Sequence, residues 1–411
     1  MSQKKIAILG YGLEGQDAEK YFKNQGAEIT ILDQKFDKNY LKDLNRFDLI
    51  IRSPGVYRYL PEIVEAEKSG VEISSATKIF FENCPAKIIG VTGTKGKGTT
   101  TTLIYEILKK AGEDVYLAGN IGKPYLELLP KLNKDSFVVM ELSSFQLIDM
   151  DKSPYIAVVL NITTDHLDWH KNREEYVEAK KNIIRYQTAL DWAVINEEYE
   201  TPKSFAKETK AKVILFSKQE LPEKYKKNLL LRGEHNWENV AAAVSVAKIL
   251  KISDRDILGV LSTFKGLEHR LELVGVKDGR SFYNDSFATG PQPTIAAIKS
   301  FTEPLTLIFG GYDKGLDYEE LCQEISQRKN INNIILIGDI RERLKKELNK
   351  KGFSGKIIDL EHSLMGKIVE TAYKNTSKGG VILLSPAAAS FDMFKDYKDR
   401  GNQFKKAVWS L

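Results

Sequence analysis

Short apolar runs alternate with longer amphipathic stretches along most of this chain. Runs such as 88–91 and 381–384 are bounded by glycine and polar residues, whereas stretch 99–110 carries leucine and isoleucine three and four positions apart. Short apolar runs predict strands, and apolar residues three and four positions apart predict helices. Their alternation is typical of a mostly parallel sheet with helices on both faces, so the sequence predicts an α/β fold.

The length of 411 residues is too great for one ordinary core, and we predict three domains. Their bounds are residues 1–84, 85–268 and 269–411, the last beginning after a glycine-containing hinge. A content of 42% hydrophobic and 28% charged residues excludes wholesale disorder. The net charge of +5 is spread along the chain, so no nucleic-acid partner is expected.

Cysteine usage and the N-terminal residues indicate the compartment. The two cysteines, Cys84 and Cys322, are far apart and lack metal-ligand spacing, which suits a reducing environment. The first residues lead directly into an apolar run without a signal-peptide core, and no apolar run approaches membrane-spanning length. We therefore expect a cytoplasmic protein, monomeric and without a membrane partner.

A glycine-rich loop joins the run 88–91 to the helical stretch 99–110. It consists of Gly93, Thr94, Lys95, Gly96, Lys97 and Gly98, and Thr99 and Thr100 follow it. Strand, glycine loop, lysine, hydroxyl and helix together predict a phosphate site, because loop N–H groups and a helix N-terminus attract anions. Lys97 would reach the outer phosphates, and a hydroxyl would hold Mg²⁺. The general pattern has a hydroxyl directly after the lysine, where Gly98 stands.

The first segment contains a second glycine motif, formed by Gly10, Gly12 and Gly15 after the run 5–9. Asp33 ends the next predicted strand, which is where a dinucleotide fold places an acid for a ribose hydroxyl. This pattern fits an NAD(P) site or a related domain that binds another diphosphate, such as a UDP-sugar. The turn 53–55 follows a third predicted strand, and by itself it reads as plain turn chemistry.

Polar residues follow several predicted strands of the second segment. Glu141 and His166 could converge on Mg²⁺, although Mg²⁺ prefers oxygen ligands and His166 alone reads better as a loop residue. Lys180 lies in a helical stretch, where a lysine is by default exposed. Asn236 and Asn239 lie near a helix start and could either cap it or present amides to a purine.

The third segment is a further α/β unit, with polar clusters after its strands at 284–286, 310–315 and 385–392. Together with the phosphate loop, these clusters suggest a nucleotide site between two domains.

Taken together, these features of the chain resemble those of the Mur ligases, the ATP-dependent amide-forming enzymes of peptidoglycan precursor synthesis. The resemblance covers essentially the whole chain. It rests on motifs in the family's order: 92–100, 119–122, 141–147, 161–168, 235–239, 269–270, 284–289 and 385–394. The last motif, continued through residues 395–401, points to the branch that adds D-glutamate.

The resemblance implies roles for particular residues. A Rossmann-like N-terminal domain would bind the UDP end of the substrate through Leu13, Glu14, Asp33, Ser53, Pro54 and Gly55. Asn120 and Ser143 would contact the muramoyl-alanine part. The central domain would bind ATP through residues 93–100 and Mg²⁺ through Thr99, Glu141 and His166, with Lys180 carbamylated and supporting a second Mg²⁺.

Other implied roles fall later in the chain. Asn236 and Asn239 would contact adenine, and Arg270, Asp285 and Lys314 would close over the nucleotide. Ser390 and Tyr397 would hold the incoming D-glutamate. The implied catalytic set is Lys97, Glu141, His166, Lys180, Arg270 and Asp285. One departure is Phe287, which stands where many members have lysine.

The implied activity is ATP-driven addition of D-glutamate to UDP-N-acetylmuramoyl-L-alanine through an acyl phosphate. Three alternatives stay open at this point. One is a ligase like folylpolyglutamate synthase, which fits Gly98, and another is an NAD-binding protein fused to a P-loop module. The third is a nucleotide-binding regulator without catalysis.

Overall fold

The structure is a computed structural model that describes residues 4–119, 125–227 and 229–411. The chain forms two compact units, which are described separately. The first comprises Met1–Lys227 and Trp237–Leu261, and the second comprises Asn228–Asn236 and Ser262–Leu411. The first unit holds two sheets and the second holds one.

The first sheet is parallel and has the order β2-β1-β3-β4. Its strands are β1 (Lys5–Leu9), β2 (Glu28–Leu32), β3 (Leu49–Arg52) and β4 (Glu72–Ser74). The helices are α1 (Leu13–Asn24), α2 (Pro61–Lys68) and α3 (Ala76–Asn83), with a 3₁₀ turn at Leu44–Arg46. Isoleucine and leucine of β1 and β3 are buried on both faces, as a parallel sheet covered by helices requires.

The second sheet is parallel, with the order β10-β9-β8-β5-β7-β6. Its strands are β5 (Lys87–Thr92), β6 (Val115–Gly119), β7 (Phe137–Glu141), β8 (Ile156–Val159), β9 (Trp192–Asn196) and β10 (Lys212–Phe216). Its helices are α4 (Lys97–Lys110), α5 (Ser144–Leu147), α6 (Arg173–Arg185), α7 (Glu200–Phe205), α8 (Glu223–Lys226), α9 (His235–Ile249) and α10 (Asp254–Leu261), with a 3₁₀ helix at Leu126–Lys131. Because β5 lies between β7 and β8, the segments that follow these three strands meet at one sheet edge.

The third sheet has the order β11-β12-β16-β13-β14-β15, and only the β11–β12 pair is antiparallel. Its strands are β11 (Glu272–Lys277), β12 (Arg280–Asn284), β13 (Leu305–Gly310), β14 (Ile331–Ile337), β15 (Lys356–Asp359) and β16 (Val381–Leu384). The helices are α11 (Pro291–Lys299), α12 (Glu319–Gln327), α13 (Arg341–Lys350), α14 (Met365–Asn375) and α15 (Tyr397–Trp409). The loops after β12, β13 and β16 carry the polar clusters of the sequence.

The α/β class predicted from the alternating pattern is confirmed. Each predicted domain contains one of the three sheets, while the exact boundaries stay a prediction. None of the helices in the described residues combines the length and apolar composition needed to span a bilayer.

Candidate active site

The phosphate loop, residues 93–98, connects β5 to the first turn of α4. Gly96 has φ 86°, and a Cβ there would come within 2.2 Å of Asn239 Oδ1. Only glycine fits this left-handed, crowded position without strain. Thr94 N donates to Asn161 O at 2.6 Å and Lys95 N donates to Asn161 Oδ1 at 2.8 Å, so the segment after β8 holds the loop from one side.

Two lysine amines meet at the beginning of this loop. Lys97 Nζ donates to Gly93 O at 3.0 Å and to Thr94 O at 3.2 Å. Lys180 Nζ, from helix α6, donates to the same Gly93 oxygen at 2.9 Å and to Thr92 Oγ1 at 3.3 Å. The two residues are 83 positions apart in the chain (180 − 97), and the fold brings both amines to one carbonyl oxygen.

Lys180 is a buried residue, with 2% of its surface exposed, whereas a helical lysine is by default exposed. Burial lowers its pKa well below the ordinary value, and the positive charge of Lys97 lowers it further. Asp165 and Glu141 act in the opposite direction. The site therefore favours a neutral amine, which is the reactive form of lysine toward electrophiles such as CO₂.

Tyr176 supports both the loop and Lys180, and the sequence analysis missed it. Its hydroxyl lies 2.9 Å from Thr94 Oγ1, and its ring centroid lies 4.9 Å from Lys180 Nζ. Tyr176 and Lys180 are four positions apart on α6, so they share one helix face. The four-residue spacing of Tyr176 and Lys180 was the feature of the sequence from which this contact could have been predicted.

The two predicted metal ligands of the central segment lie at the expected sheet edge. Glu141 ends β7 and is buried, with 9% of its surface exposed. His166 has φ 54°, and its half-exposed ring lies 4.8 Å from the ring of Phe145. Left-handed backbone is uncommon outside glycine, so the surrounding structure must hold His166 in this conformation.

The donor chemistry of this edge suits Mg²⁺ in part. The Glu141 carboxylate and the Thr99 hydroxyl, in the first turn of α4, are the hard oxygen donors that Mg²⁺ prefers. His166 offers nitrogen, which fits less well, and an unmodified Lys180 offers no ligand at all. Glu141 and Thr99 are thus the donors among these that fit the ion directly.

The two asparagines near the start of α9 have different surroundings. Asn239 is buried, and its Oδ1 accepts from Thr100 Oγ1 at 3.2 Å, which ties α9 to the first turns of α4. Asn236 Nδ2 donates to Arg232 O at 2.6 Å within the second unit. These bonds place Asn239 directly beside the phosphate loop.

In the first sheet, the glycine loop that follows β1 is stabilised by a hydrogen bond to Asp33. Asp33 accepts from Tyr11 N at 2.7 Å and from Lys35 N at 2.8 Å, one bond to each carboxylate oxygen. These backbone bonds lower its pKa. Ser53 Oγ donates to Gly10 O at 2.5 Å from the turn after β3. Asp33 is therefore engaged in loop structure, which weakens its predicted role with a ribose.

Glu14 points toward the second sheet, although it begins the helix after that glycine loop. Its carboxylate accepts from Tyr125 OH at 2.5 Å and from Gln146 Nε2 at 2.8 Å. Burial raises its pKa. Gln146 also completes a capping box with Ser143 at the start of α5. Glu14 thus connects the two sheets of the first unit, while the neighbouring Leu13 is exposed.

The turn 53–55 is anchored by Arg52, a fully buried residue that the sequence analysis missed. Arg52 donates to Val56 O at 2.7 Å, to Phe145 O at 3.1 Å and to Asp149 Oδ2 at 3.2 Å. Gly55 O also accepts from Trp169 Nε1 at 3.4 Å. Pro54 lies within this same turn, half-buried. Asn120 lies outside the described residues.

In the second unit, Arg270 and Asp285 lie on neighbouring segments. Asp285 is buried and accepts from Ser385 Oγ at 2.7 Å and from Leu271 N at 3.1 Å. Burial raises its pKa to about 7. Arg270 is exposed, with its guanidinium carbon 4.0 Å from the ring centroid of Phe287.

The loops after β13 and β16 position the other predicted residues of this unit. Lys314 is exposed, with Nζ 5.9 Å from the ring centroid of Phe391. Ser390 is buried, and its carbonyl accepts from Phe394 N at 2.8 Å. Arg400, also buried, donates to Ala388 O at 3.1 Å and to Ser286 Oγ at 2.9 Å, so it joins the loops after β16 and β12. The sequence analysis gave Arg400 no such role.

Comparison with known proteins agrees with this geometry. Residues 91–229 match the Mur ligase middle domain, and residues 269–388 match the Mur ligase, glutamate ligase domain. A UDP-N-acetylmuramoylalanine--D-glutamate ligase of Acetivibrio thermocellus is 39% identical over 457 aligned positions, covering 100% of this chain and 97% of the relative. One from Clostridium tetani is 38% identical over 449 positions, covering 99% and 97%.

Solved structures share the fold at low sequence identity. UDP-N-acetylmuramate-alanine ligase of Thermotoga maritima aligns with a TM-score of 0.61 at 18% identity, covering 99% of both chains. A MurF structure from Acinetobacter baumannii aligns with a TM-score of 0.61 at 17% identity, covering 82% of both chains.

The phosphate loop, the three α/β sheets and these matches define a nucleotide-dependent ligase. The chain belongs to the Mur ligase family, and it is an ATP-dependent enzyme of that family. The family and enzyme class predicted from the motifs are confirmed. The full-length relatives give no support to the NAD-binding fusion or to a regulator without catalysis.

Proposed function

We propose that this chain joins D-glutamate to UDP-N-acetylmuramoyl-L-alanine, with conversion of ATP to ADP and phosphate. The proposal is supported by relatives of that name that are 35–39% identical over essentially the whole chain. The structural observation that carries it is the meeting of Lys97 and Lys180 at the Gly93 carbonyl, because this concentrates positive charge and a reactive amine at the phosphate loop.

The chemistry has two steps. A carboxylate oxygen of the substrate attacks the γ-phosphorus of ATP, which gives an acyl phosphate and ADP. The D-glutamate nitrogen then attacks the acyl carbon and loses a proton, and the tetrahedral intermediate expels phosphate to leave an amide. The main obstacle is the approach of a carboxylate to a triphosphate, since both are negatively charged.

Fixed positive charge offsets this repulsion. The N-terminus of α4 would face the phosphates in this proposal, and Lys97 would leave its two loop carbonyls to pair with the outer phosphate. Preorganised charges of this kind are usually the largest catalytic contribution. Arg270 and Lys314 would add positive charge from the C-terminal domain in this proposal, while Asp285 would contact the nucleotide without adding positive charge.

Glu141 and Thr99 would hold Mg²⁺ in this proposal, with His166 as a further contact. Bound there, the ion would neutralise phosphate charge during transfer. Lys180 would carry a carbamate: its neutral nitrogen bonds to the carbon of CO₂ and loses a proton, so that a neutral amine is replaced by an anion suited to a second Mg²⁺. The lowered pKa of Lys180 favours this reaction.

The remaining roles follow the family pattern. The UDP end would lie along the first sheet near Leu13 and the turn 53–55, and Asn120 and Ser143 would contact the muramoyl-alanine part. Asn236 and Asn239 would contact adenine, with Asn239 held beside the loop by Thr100. Ser390 and Tyr397 would hold D-glutamate.

The test is phosphate release measured with each substrate omitted in turn. We expect release only when ATP, UDP-N-acetylmuramoyl-L-alanine and D-glutamate are all present. Lys97→Ala should lower it by at least about 100-fold, whereas Lys109→Ala, at the far end of the same helix, should match the wild type. Release that is indifferent to the amino acid, or that survives Lys97→Ala, would contradict the proposal.

A further inference from the structure

Arg270 is displayed on a strained turn in the second unit. Its neighbours His269 and Leu271 both have left-handed backbone, with φ 64° and 44°. Left-handed backbone is unfavourable for L-amino acids other than glycine, so neighbouring groups must hold the turn in place. Four backbone N–H groups at or beside the turn donate bonds that hold it: Leu271 N to Asp285 Oδ1 at 3.1 Å, Phe287 N to His269 O at 3.0 Å, His269 N to Glu272 Oε2 at 2.9 Å and Arg270 N to Leu267 O at 3.0 Å.

These bonds fix the backbone of the turn, and the long Arg270 side chain has contacts of its own. Its guanidinium carbon lies 4.0 Å from the centroid of the Phe287 ring, within the range of a strong cation–π contact. Phe287 is 40% exposed, so neighbouring residues cover only part of its ring. The contact with Arg270 accounts for its position.

The Phe287 ring is itself held from its edge. Tyr397 lies 4.9 Å away with an interplanar angle of 88°, an edge-to-face pair, and Tyr397 O accepts from Ser286 Oγ at 2.8 Å. Arg270, Phe287 and Tyr397 therefore form one stack. In the proposed function its outer members belong to different substrates, Arg270 to the nucleotide and Tyr397 to the amino acid.

We infer that Phe287 is a positioning residue that fixes the orientation of the Arg270 guanidinium, the group that binds the anionic nucleotide in the proposed function, and couples it to Tyr397. This inference rests on the proposed function for the identity of the ligands. A phenylalanine carries no charge and cannot contact phosphate as a cation, so its effect on the nucleotide passes through Arg270. We therefore expect the Phe287 ring to affect nucleotide affinity only while Arg270 is present.

The test compares Phe287→Leu and Phe287→Tyr, each with Arg270 intact and with Arg270→Met. The readouts are calorimetric affinity for a non-hydrolysable ATP analogue and the separate KM and kcat for ATP. Phe287→Leu keeps apolar bulk but loses the π-face, and we expect about fivefold weaker nucleotide binding. Phe287→Tyr should stay within about twofold of the wild type, because it retains the ring.

In the Arg270→Met background, Phe287→Leu should have no additional effect. A matched control is Tyr373→Leu, which removes another cation–π partner, that of Arg280 at 4.7 Å, elsewhere in the unit. It should leave nucleotide affinity unchanged. The inference would be overturned if Phe287→Leu weakened nucleotide binding as much in the Arg270→Met background as with Arg270 intact. It would also be overturned if Phe287→Leu alone bound the nucleotide with wild-type affinity.

The two proposals fail separately. If wild-type phosphate release ignores D-glutamate but the Phe287 and Arg270 effects on affinity remain coupled, the proposed substrate is wrong and the positioning role stands. If release requires D-glutamate and the two residues act independently, the positioning role is wrong and the proposed function stands.

Discussion

Lys180 Nζ lies 2.9 Å from Gly93 O, so a buried amine from helix α6 contacts the first residue of the phosphate loop. Lys97 Nζ contacts the same oxygen at 3.0 Å. Burial lowers the pKa of Lys180, and the nearby positive charge of Lys97 lowers it further. The burial of Lys180 and its contact with Gly93 therefore make this helical lysine part of the candidate phosphate site.

Replacement of Lys180 should therefore remove function rather than merely alter the surface. We expect Lys180→Ala to lower phosphate release by at least about 100-fold, because it removes the group that the site orients. Short carboxylic acids should restore part of this activity if the native group is a carbamate. The adjacent Lys181, paired with Glu178 and Glu208, is the control, and Lys181→Ala should behave like the wild type. Wild-type rates in Lys180→Ala would contradict the role.

Gly96 and Gly112 provide a matched pair for testing the loop. Both have φ 86°, but a Cβ at Gly96 would come within 2.2 Å of Asn239 Oδ1, whereas nothing lies within 4 Å at Gly112. Gly112→Ala should cost about 1–2 kcal/mol of stability from backbone strain alone. Gly96→Ala should cost more and should also weaken ATP binding by at least about tenfold. Equal nucleotide affinity in the two variants, measured by calorimetry, would show that the loop tolerates the clash.

Asp285 should make stability depend on pH. Its pKa is raised to about 7 in the folded protein from its ordinary value of 3.8, so between these pH values the folded chain binds a proton that the unfolded chain has lost. Stability from this group is therefore lost as pH rises from about 4 to 7. Asp285→Asn removes this pH-dependent loss. The free energy of unfolding of the variant should therefore rise relative to that of the wild type between pH 4 and 7, by at most about 4 kcal/mol.

Thermal unfolding of both proteins at several pH values between 4 and 8 measures this gain. The control is Asp254→Asn, since lysine contacts lower the pKa of Asp254 and predict the opposite dependence. A gain for Asp285→Asn that is the same at every pH would contradict the raised pKa.

Arg52 should be important for the stability of the first unit. It is fully buried and bonds Asp149 and carbonyl oxygens from both sheets of that unit. Arg52→Met removes the donor to the two carbonyl oxygens and leaves Asp149 with its longer contact to Arg58 at 3.7 Å, and we expect a loss of about 3–5 kcal/mol in urea unfolding. Arg46→Met, at an exposed arginine over Phe47, should lose no more than about 1 kcal/mol. Similar losses in the two variants would contradict the role of Arg52.

Local pattern was sufficient to predict most of the fold. Strands such as β1 and β16 were predicted to the residue because they are short buried runs with sharp polar boundaries. Strands β4, β10 and β11 were not predicted. They are edge strands of their sheets, partly exposed and therefore less apolar in sequence.

The site was predictable only where its residues share a local motif. The loop 93–98 is such a motif, and so its lysine and hydroxyls were identified directly. The burial of Lys180, the engagement of Glu14 with Tyr125 and the anchoring role of Arg52 depend on contacts between distant segments. Local spacing carries no information on such contacts, and for Lys180 it suggested an exposed residue.

The most direct measurement of the central claim follows oxygen atoms through the reaction. The substrate carboxylate is labelled with ¹⁸O, and the phosphate released in the presence of ATP and D-glutamate is analysed by mass spectrometry. An acyl phosphate requires that one labelled oxygen leave the carboxylate with each phosphate, and we predict this result. Phosphate without label, formed at the same rate as the amide product, would contradict activation of the carboxylate by ATP at the phosphate loop.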